Sequence, residues 1–291
     1  MIFSVDLLLE AVAFGILLGG FYAAVSLGLS VAFGLLDIPH VAHPAVLVLG
    51  AYGAYLLGNY GFDPIVAGLM LTPLFFALGA AFYRVYHFTF ESRGDSAAVN
   101  GLAFFFGIVF IIEVLLVIFF GVDQRSAEAP YIGGSFVMGD MRLPYRLLVA
   151  FAVAIVLAAA LSAYLSRTFY GRAIKAVGQD ESALRLMGAN PVKVKQLAFG
   201  IATGVNALAG AVLLIMAPVE PTMDRMYIGR TFCVVVLAGL GSMSGTIVAG
   251  LILGITESIV LMFFGTAWAP AVAFTLLLIM LAVRPQGLFG R

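Results

Sequence analysis

The chain has 291 residues, 63% of them hydrophobic and 10% charged, with zero formal net charge and a mean hydropathy of +1.12. A soluble domain carries roughly 25% charged residues to meet water; the polar surface here cannot coat one, so lipid must solvate most of the exterior. With no basic block there is no expectation of a nucleic-acid partner, and the single cysteine, Cys233, excludes an intrachain disulfide and reads as packing in its apolar run.

A transmembrane helix needs about 20 mostly apolar residues to cross a hydrocarbon core of about 30 Å. Candidate segments fall at 8–36, 41–58, 64–84, 98–121, 146–166, 195–217, 229–240, 245–264 and 267–283. The expected fold is an all-α, polytopic membrane bundle of eight or nine segments, a single domain over 1–291. The N-terminus lacks a basic region and a cleavage site, so the first segment is expected to be retained as a helix. That segment is too long for one straight helix and the seventh is too short to span; both carry glycines and are expected to be broken or re-entrant.

In chain order, Gly15-Ile16-x-x-Gly19 with Ala24 echoes Gly200-Ile201-x-x-Gly204 with Ala209 in a helix of opposite direction, as an inverted repeat would. Gly15/Gly19, Ala207/Gly210 and Gly250/Gly254 set small residues on one helix face, where backbones can approach closely. His40 and His43 lie three apart between Pro39 and Pro44. Without a third ligand they make a poor metal site, and they are candidate polar contacts at the inner mouth of a pathway. The Phe104-Phe105-Phe106 run reads as lipid-facing or core packing.

Glu113 and Glu257 fall within apolar spans. An ionised carboxylate at mid-bilayer costs a few kcal/mol. With no intramembrane Lys or Arg foreseen as a partner, protonation or hydrogen bonds are expected to hold them. Both are candidate pathway or packing groups. Asn206 reads as an interhelical hydrogen bond or a solute contact. Gly239-Leu-Gly-Ser-Met-Ser-Gly245 is a concentrated break between two short apolar segments, and helix ends at membrane depth expose backbone polar groups. Gly241 and Ser242 are therefore also candidate pathway positions.

The longest charged stretch is 167–194. Asp180 and Glu181 precede a short helical pattern in which Ala183, Leu184 and Met187 share a face, and Gly188-Ala-Asn-Pro191 stops it. Such a helix is either a connector on the headgroups or a knob that docks on a partner. Placing this loop inside puts Arg84, Arg93, Arg167, Arg172, Lys175, Arg185, Lys193, Lys195, Arg284 and Arg291 in the cytoplasm. Arg125, Arg142, Arg146, Arg225 and Arg230 then lie outside, and basic residues favour the cytoplasmic side. No Gly-x-x-x-x-Gly-Lys-[Ser/Thr] occurs, so the chain itself holds no ATP; nor does it carry a hydrolase or zinc-protease motif.

The 167–194 segment resembles the cytoplasmic EAA loop of ABC importer permeases, and specifically that of the branched-chain amino acid permease family (LivH and LivM). Gly171-Arg172-Ala173-Ile174-Lys175-Ala176 matches its first part. Ser182-Ala183-Leu184 followed by Gly188 occupies its second, with Ser182 in the glutamate position and Leu184 in place of the second alanine. The stretch from Gly34 to His43 followed by Leu49-Gly50-Ala51-Tyr52, the pattern Gly250-x-x-x-Gly254-x-x-Glu257-Ser258 and the tail Arg284-Pro-Gln-Gly-Leu-Phe-Gly290 also resemble the family, with Pro44 where it has a glycine. Length places the resemblance on the LivH-like branch.

The resemblance implies an importer permease of the bacterial inner membrane, working by alternating access on branched-chain amino acids or related small polar solutes. Asp180, Glu181, Ser182, Ala183, Leu184 and Gly188 would couple it to two ATP-binding subunits, which carry the ATP and Mg²⁺. A second permease (LivM-like or a second copy) and a periplasmic solute-binding protein would complete it. An ion-coupled secondary transporter is the competing reading, with Glu113 and Glu257 as ion sites and no use for a docking helix.

Overall fold

The computed structural model describes residues 5–93, 97–138 and 141–290. In order these form α1 (Val5–Ala32), α2 (His43–Gly58), α3 (Pro64–Thr89), α4 (Ala97–Phe120), a hairpin of β1 (Ser135–Met138) and β2 (Met141–Pro144), α5 (Tyr145–Arg167), α6 (Phe169–Val177), α7 (Glu181–Leu186), α8 (Pro191–Met216), α9 (Asp224–Ala238), α10 (Met243–Phe264) and α11 (Ala269–Val283). Seven of them are long and apolar enough to cross a membrane: α1, α3, α4, α5, α8, α10, and α11 with the 3-10 turn before it. Helices α2 and α9 are shorter.

Two expectations are corrected here: the 8–36 segment ends as helix at Ala32, and the 229–240 segment is the last part of a helix that starts at Asp224. In addition, Ser135–Met138 and Met141–Pro144 pair as antiparallel strands, which apolar patterning does not announce. Arg291, counted among the inner charges, lies outside the described residues.

Two helix triplets share one plan. Helix α1 is followed by an irregular stretch, the short α2, a turn and the N-capped α3; α8 is followed by an irregular stretch, the short α9, a turn and the N-capped α10. Asp63 caps α3 by accepting the Ile65 N–H at 2.8 Å, and Ser242 caps α10 by accepting the Gly245 N–H at 3.1 Å. The turn after α1 reaches the 167–194 loop, where Gly178 meets Leu35, and α8 begins at that loop. So α1 ends on the face where α8 starts, and the two run in opposite directions, as an inverted repeat requires.

Packing exchanges partners between the triplets: α1 lies along α10, and α8 along α3. A Cβ on Gly15 would stand 2.5 Å from Ile255 Cα, and one on Gly19 would stand 2.6 Å from Leu251 Cα. Gly254 in turn faces the backbone of Gly19, and Gly79 of α3 faces Thr203 and Phe199 of α8. Small residues are what let these backbones touch, since lipid offers no hydrophobic drive for helices to associate. Helices α1 and α8 form the buried centre. The outer helices keep large apolar side chains exposed, such as Phe88, Ile118, Phe119 and Leu278, as a lipid-facing surface would.

The stretch between α1 and α2 leaves the helix inside the protein. Asp37 adopts a left-handed backbone (φ 54°), and Ile38, His40 and Ala42 are all buried. Its amides are paired locally, Ile38 N–H to Ala32 O at 3.1 Å and Val41 N–H to Pro39 O at 2.9 Å. Irregular backbone at membrane depth survives only under such enclosure.

Gly254→Val should force α1 and α10 apart and destabilise the protein by about 1–3 kcal/mol as overpacking does, seen as a lower unfolding temperature in detergent. Gly107→Val on α4, where an added Cβ meets nothing within 4 Å, should leave that temperature unchanged; equal effects would refute the close-approach account.

Candidate functional site

At the start of α2, His43 is wholly buried between α1 and α8. Its Nε2 lies 2.7 Å from the Val25 carbonyl, which can only accept, so Nε2 carries the proton. Nδ1 is then an acceptor, and Asn206 Nδ2 donates to it at 3.0 Å and reaches the His43 carbonyl at 3.3 Å. One asparagine and one histidine thus tie α8, α2 and α1 together at the break. Asn206 Oδ1 has no hydrogen-bond partner, nor does Ser26 Oγ.

His40 is also wholly buried, and neither ring nitrogen has a partner. Phe199 and Phe105 pack on it at ring-centroid distances of 4.6 and 5.0 Å, and His43 lies at 5.7 Å. Of the three consecutive phenylalanines, then, Phe105 is core and Phe106 is exposed. Buried imidazole nitrogens without partners cost about 1–3 kcal/mol each, so His40 is an unsatisfied polar group at the break.

Glu257 overturns an expectation. It is paired with Arg230 of α9, a residue assigned outside from the charge count: Nη2 donates to Oε1 at 2.6 Å and Nε to Oε1 at 3.2 Å. Only 1% of Glu257 and 8% of Arg230 is exposed, so an intramembrane arginine does neutralise this carboxylate. Tyr22 of α1 and Tyr227 of α9 flank the guanidinium, each centroid 5.7 Å away, and Arg230 Nη1 donates to the Met226 carbonyl at 2.9 Å. Glu113 is likewise paired, with Arg225 Nη2 at 2.6 Å, in a more exposed setting. Next to it, Asp224 is buried and both its carboxylate oxygens lack partners.

The glycine-rich break 239–245 closes the face of the 167–194 loop. Gly239 (φ 87°) and Gly241 (φ 80°) turn the chain, Gly241 against Gly34 and Gly239 against Gly290. The tail is stitched to α9 by Leu288 N–H to Leu237 O at 2.9 Å and Phe289 N–H to Ala238 O at 3.1 Å. Ser242 spends its hydroxyl on the α10 cap.

The 167–194 loop is a row of capped helices. Asp180 Oδ1 accepts the N–H groups of Ser182 at 2.8 Å and Ala183 at 2.9 Å, starting α7. Gly188 (φ 83°) ends it, and Asn190 caps α8 through the Val192 N–H at 3.0 Å. The apolar side that α7 presents differs from the expected one. Leu184 turns inward and is buried, whereas Ala183, Leu186 and Met187 are exposed, the last two at 90% and 82%. Leu184 thus anchors α7 to the permease, and the outward knob is Ala183-Leu186-Met187 at i, i+3, i+4 spacing.

On the opposite face a cleft of about 380 Å³ opens among Tyr55, Asn59, Ser126 and Glu128. Beside it Tyr131 donates to Asp63 Oδ2 at 2.9 Å, and burial, with the carboxylate alongside, pushes that phenol upward from its ordinary range. Arg230, Leu184 and Asp224 are the residues that sequence patterning misplaced or passed over. For Arg230 a signal existed: a basic residue inside a short apolar segment.

A family model described as the permease component of the branched-chain amino acid transport system matches residues 11–282. The permease protein BraD of Pseudomonas aeruginosa, from a high-affinity branched-chain amino acid transport system, is 28% identical over 97% of this chain and 96% of its own length. LivH of Escherichia coli K12, a permease protein of such a system, is 26% identical over 95% and 94%; the LivM permease protein of that organism is 27% identical over 92% and 67%. No solved structure matches significantly.

Removing one member of the buried pair strands the other charge. Glu257→Leu should therefore cost about 3–5 kcal/mol, and Arg230→Leu with Glu257→Leu together should cost much less than either alone. Thermal unfolding in detergent reads this; a double variant as unstable as the sum of the singles would show the pair is not coupled.

Proposed function

We propose that this chain, which belongs to the branched-chain amino acid transport permease family, passes branched-chain amino acids or related small polar solutes across the membrane by alternating access. It is a multi-pass membrane permease subunit of an ABC importer. The LivH and LivM relatives imply a second permease at its side, which we take to be a LivM-like chain or a second copy. The membrane is the bacterial inner membrane, with the 167–194 loop in the cytoplasm. Two ATP-binding subunits hold the ATP and Mg²⁺, and the permease subunit does no chemistry of its own. A solute-binding protein delivers cargo to the opposite face, where the polar cleft near Tyr55 and Asn59 opens.

The single observation that carries coupling is α7. It is a capped helix with an apolar anchor, Leu184, turned inward and an apolar knob turned out. Large apolar side chains such as Leu186 and Met187, exposed at the tip of a charged loop, are costly in water and favour a partner pocket. His40, His43 and Asn206 around the α1–α2 break are the proposed walls of the pathway, because breaks in corresponding short helices are where transporters of inverted-repeat design bind their cargo. The ion-coupled alternative loses its motive, since both candidate ion-site glutamates are occupied by arginines.

Ala183→Arg places a guanidinium in the docking pocket, where an unpaired buried charge costs several kcal/mol. The variant should insert in the membrane normally yet fail to co-purify with its ATPase and fail to take up radiolabelled leucine; normal co-purification would sink the docking assignment. Leu184→Asp should instead destabilise the permease itself. A cysteine at Ser182, which is exposed, should resist impermeant thiol reagents in intact cells and react once the membrane is opened. Ready labelling from outside would invert the topology.

A further inference from the structure

Resting on the docking role of α7, we propose that Lys195 is the transmission residue of this permease, the positioning group that carries movement of the docking helix into the α3–α8 pair. Lys195 lies near the start of α8 with its side chain only 12% exposed. Its ammonium donates to Glu181 Oε2 at 2.9 Å and to Glu91 Oε1 at 2.8 Å. Glu181 opens α7; Glu91 stands in the 3-10 turn just beyond α3. One cation therefore bridges two carboxylates from segments that lie far apart in sequence.

The bridge continues inward. The other oxygen of Glu91 accepts from the Tyr83 hydroxyl at 2.8 Å and lies 2.6 Å from His87 Nδ1, so the carboxylate is gripped by two side chains of α3. The Tyr83 ring stacks on His87 and meets Phe199 of α8 at 6.2 Å, and Phe199 packs on His40 at 4.6 Å. A continuous series thus runs from the docking helix, through Lys195 and Glu91, to the unpartnered histidine of the re-entrant stretch.

Position and transmission are separable in this arrangement. Helix α7 packs on α6 and α8, and Leu184 buries itself there, so the docking helix keeps an apolar seat without Lys195. Its tie to the end of α3, by contrast, runs through the ammonium. Without that charge Glu181 and Glu91 face one another as like charges, and a push on α7 no longer draws α3 with it. Coupling of this kind needs an element with two arrangements that both sites bias, and the Lys195 bridge, made or broken, is the contact assigned that role.

The test uses the complete importer in proteoliposomes with its ATPase subunits and its solute-binding protein, and measures radiolabelled leucine uptake and ATP hydrolysis together. Lys195→Gln should assemble and hydrolyse ATP while uptake per ATP falls about tenfold, within the range of site-to-site couplings. Lys195→Arg should restore it, because a guanidinium still spans both carboxylates. Glu91→Gln should reproduce the loss, and Lys195→Gln with Glu91→Gln should be no worse than either alone. Wild-type stoichiometry in Lys195→Gln overturns the proposal. So does loss of the ATPase from that variant, which would make Lys195 part of the docking seat. Failure of the docking assignment is separate, since it is read from Ala183→Arg; failure of the solute assignment shows as absent leucine uptake by the wild-type complex.

Discussion

A peptide group that leaves a helix inside a bilayer finds no water, and this constraint shapes the rest of the molecule. After the exposed turn at Asp37, the stretch from Ile38 to Ala42 runs back into the protein, where the aromatic side chains of α4 and α8 cover His40. Enclosure demands helices that approach to backbone contact, and that in turn demands the glycines of α1, α3, α8 and α10. The polar groups at the break, His43 and Asn206, then serve the enclosure by holding α2 against its neighbours. The break, the tight seams and the buried polar knot are one arrangement, because removing any of them would leave orphan amides facing hydrocarbon.

Charge is handled by the same rule. Glu257 would be a heavy burden alone, but Arg230 meets it with two nitrogens and two tyrosine rings cover the cation. Such a pair adds little net stability relative to apolar packing, because both ions must shed water. It fixes instead which faces of α9 and α10 meet. A carboxylate committed to a guanidinium is poorly suited to picking up and releasing ions during a transport cycle. An energy source outside this subunit fits that chemistry better than an ion gradient acting through Glu257.

The membrane class, the positions of the long helices and the limits of the short helix α7 were legible in the sequence because they depend on local signals: apolar run length, Asp180 as a cap, Gly188 as a stop. The small-residue echo between α1 and α8 was legible as a pattern, though which helices those residues would touch was not. Arg230 and Glu257 are 27 positions apart on different helices, and no periodicity reports that they meet; a topology count that set Arg230 outside hid the pair. Leu184 of α7 and Met187 just beyond it both suit an apolar face, and a helix of six residues is too short for its own pattern to decide which turns inward. Packing against α6 and α8 decides it. The strand pair of Ser135–Met138 with Met141–Pro144 carries no strong alternation and escaped notice for that reason.

The exchange of partners between the two triplets bears on how the chain is made. Helix α1 is made before α8 and α9, yet the helix that fits its glycine stripe, α10, is synthesised only after them. Helix α3 must likewise wait for α8. During translation the early helices therefore sit in the bilayer with their closest-fitting surfaces covered by lipid. Assembly is a late step in which lipid is squeezed out of two long seams, α1 with α10 and α3 with α8. Any factor that shields small-residue faces in the nascent chain would act in that interval, before these two seams have closed.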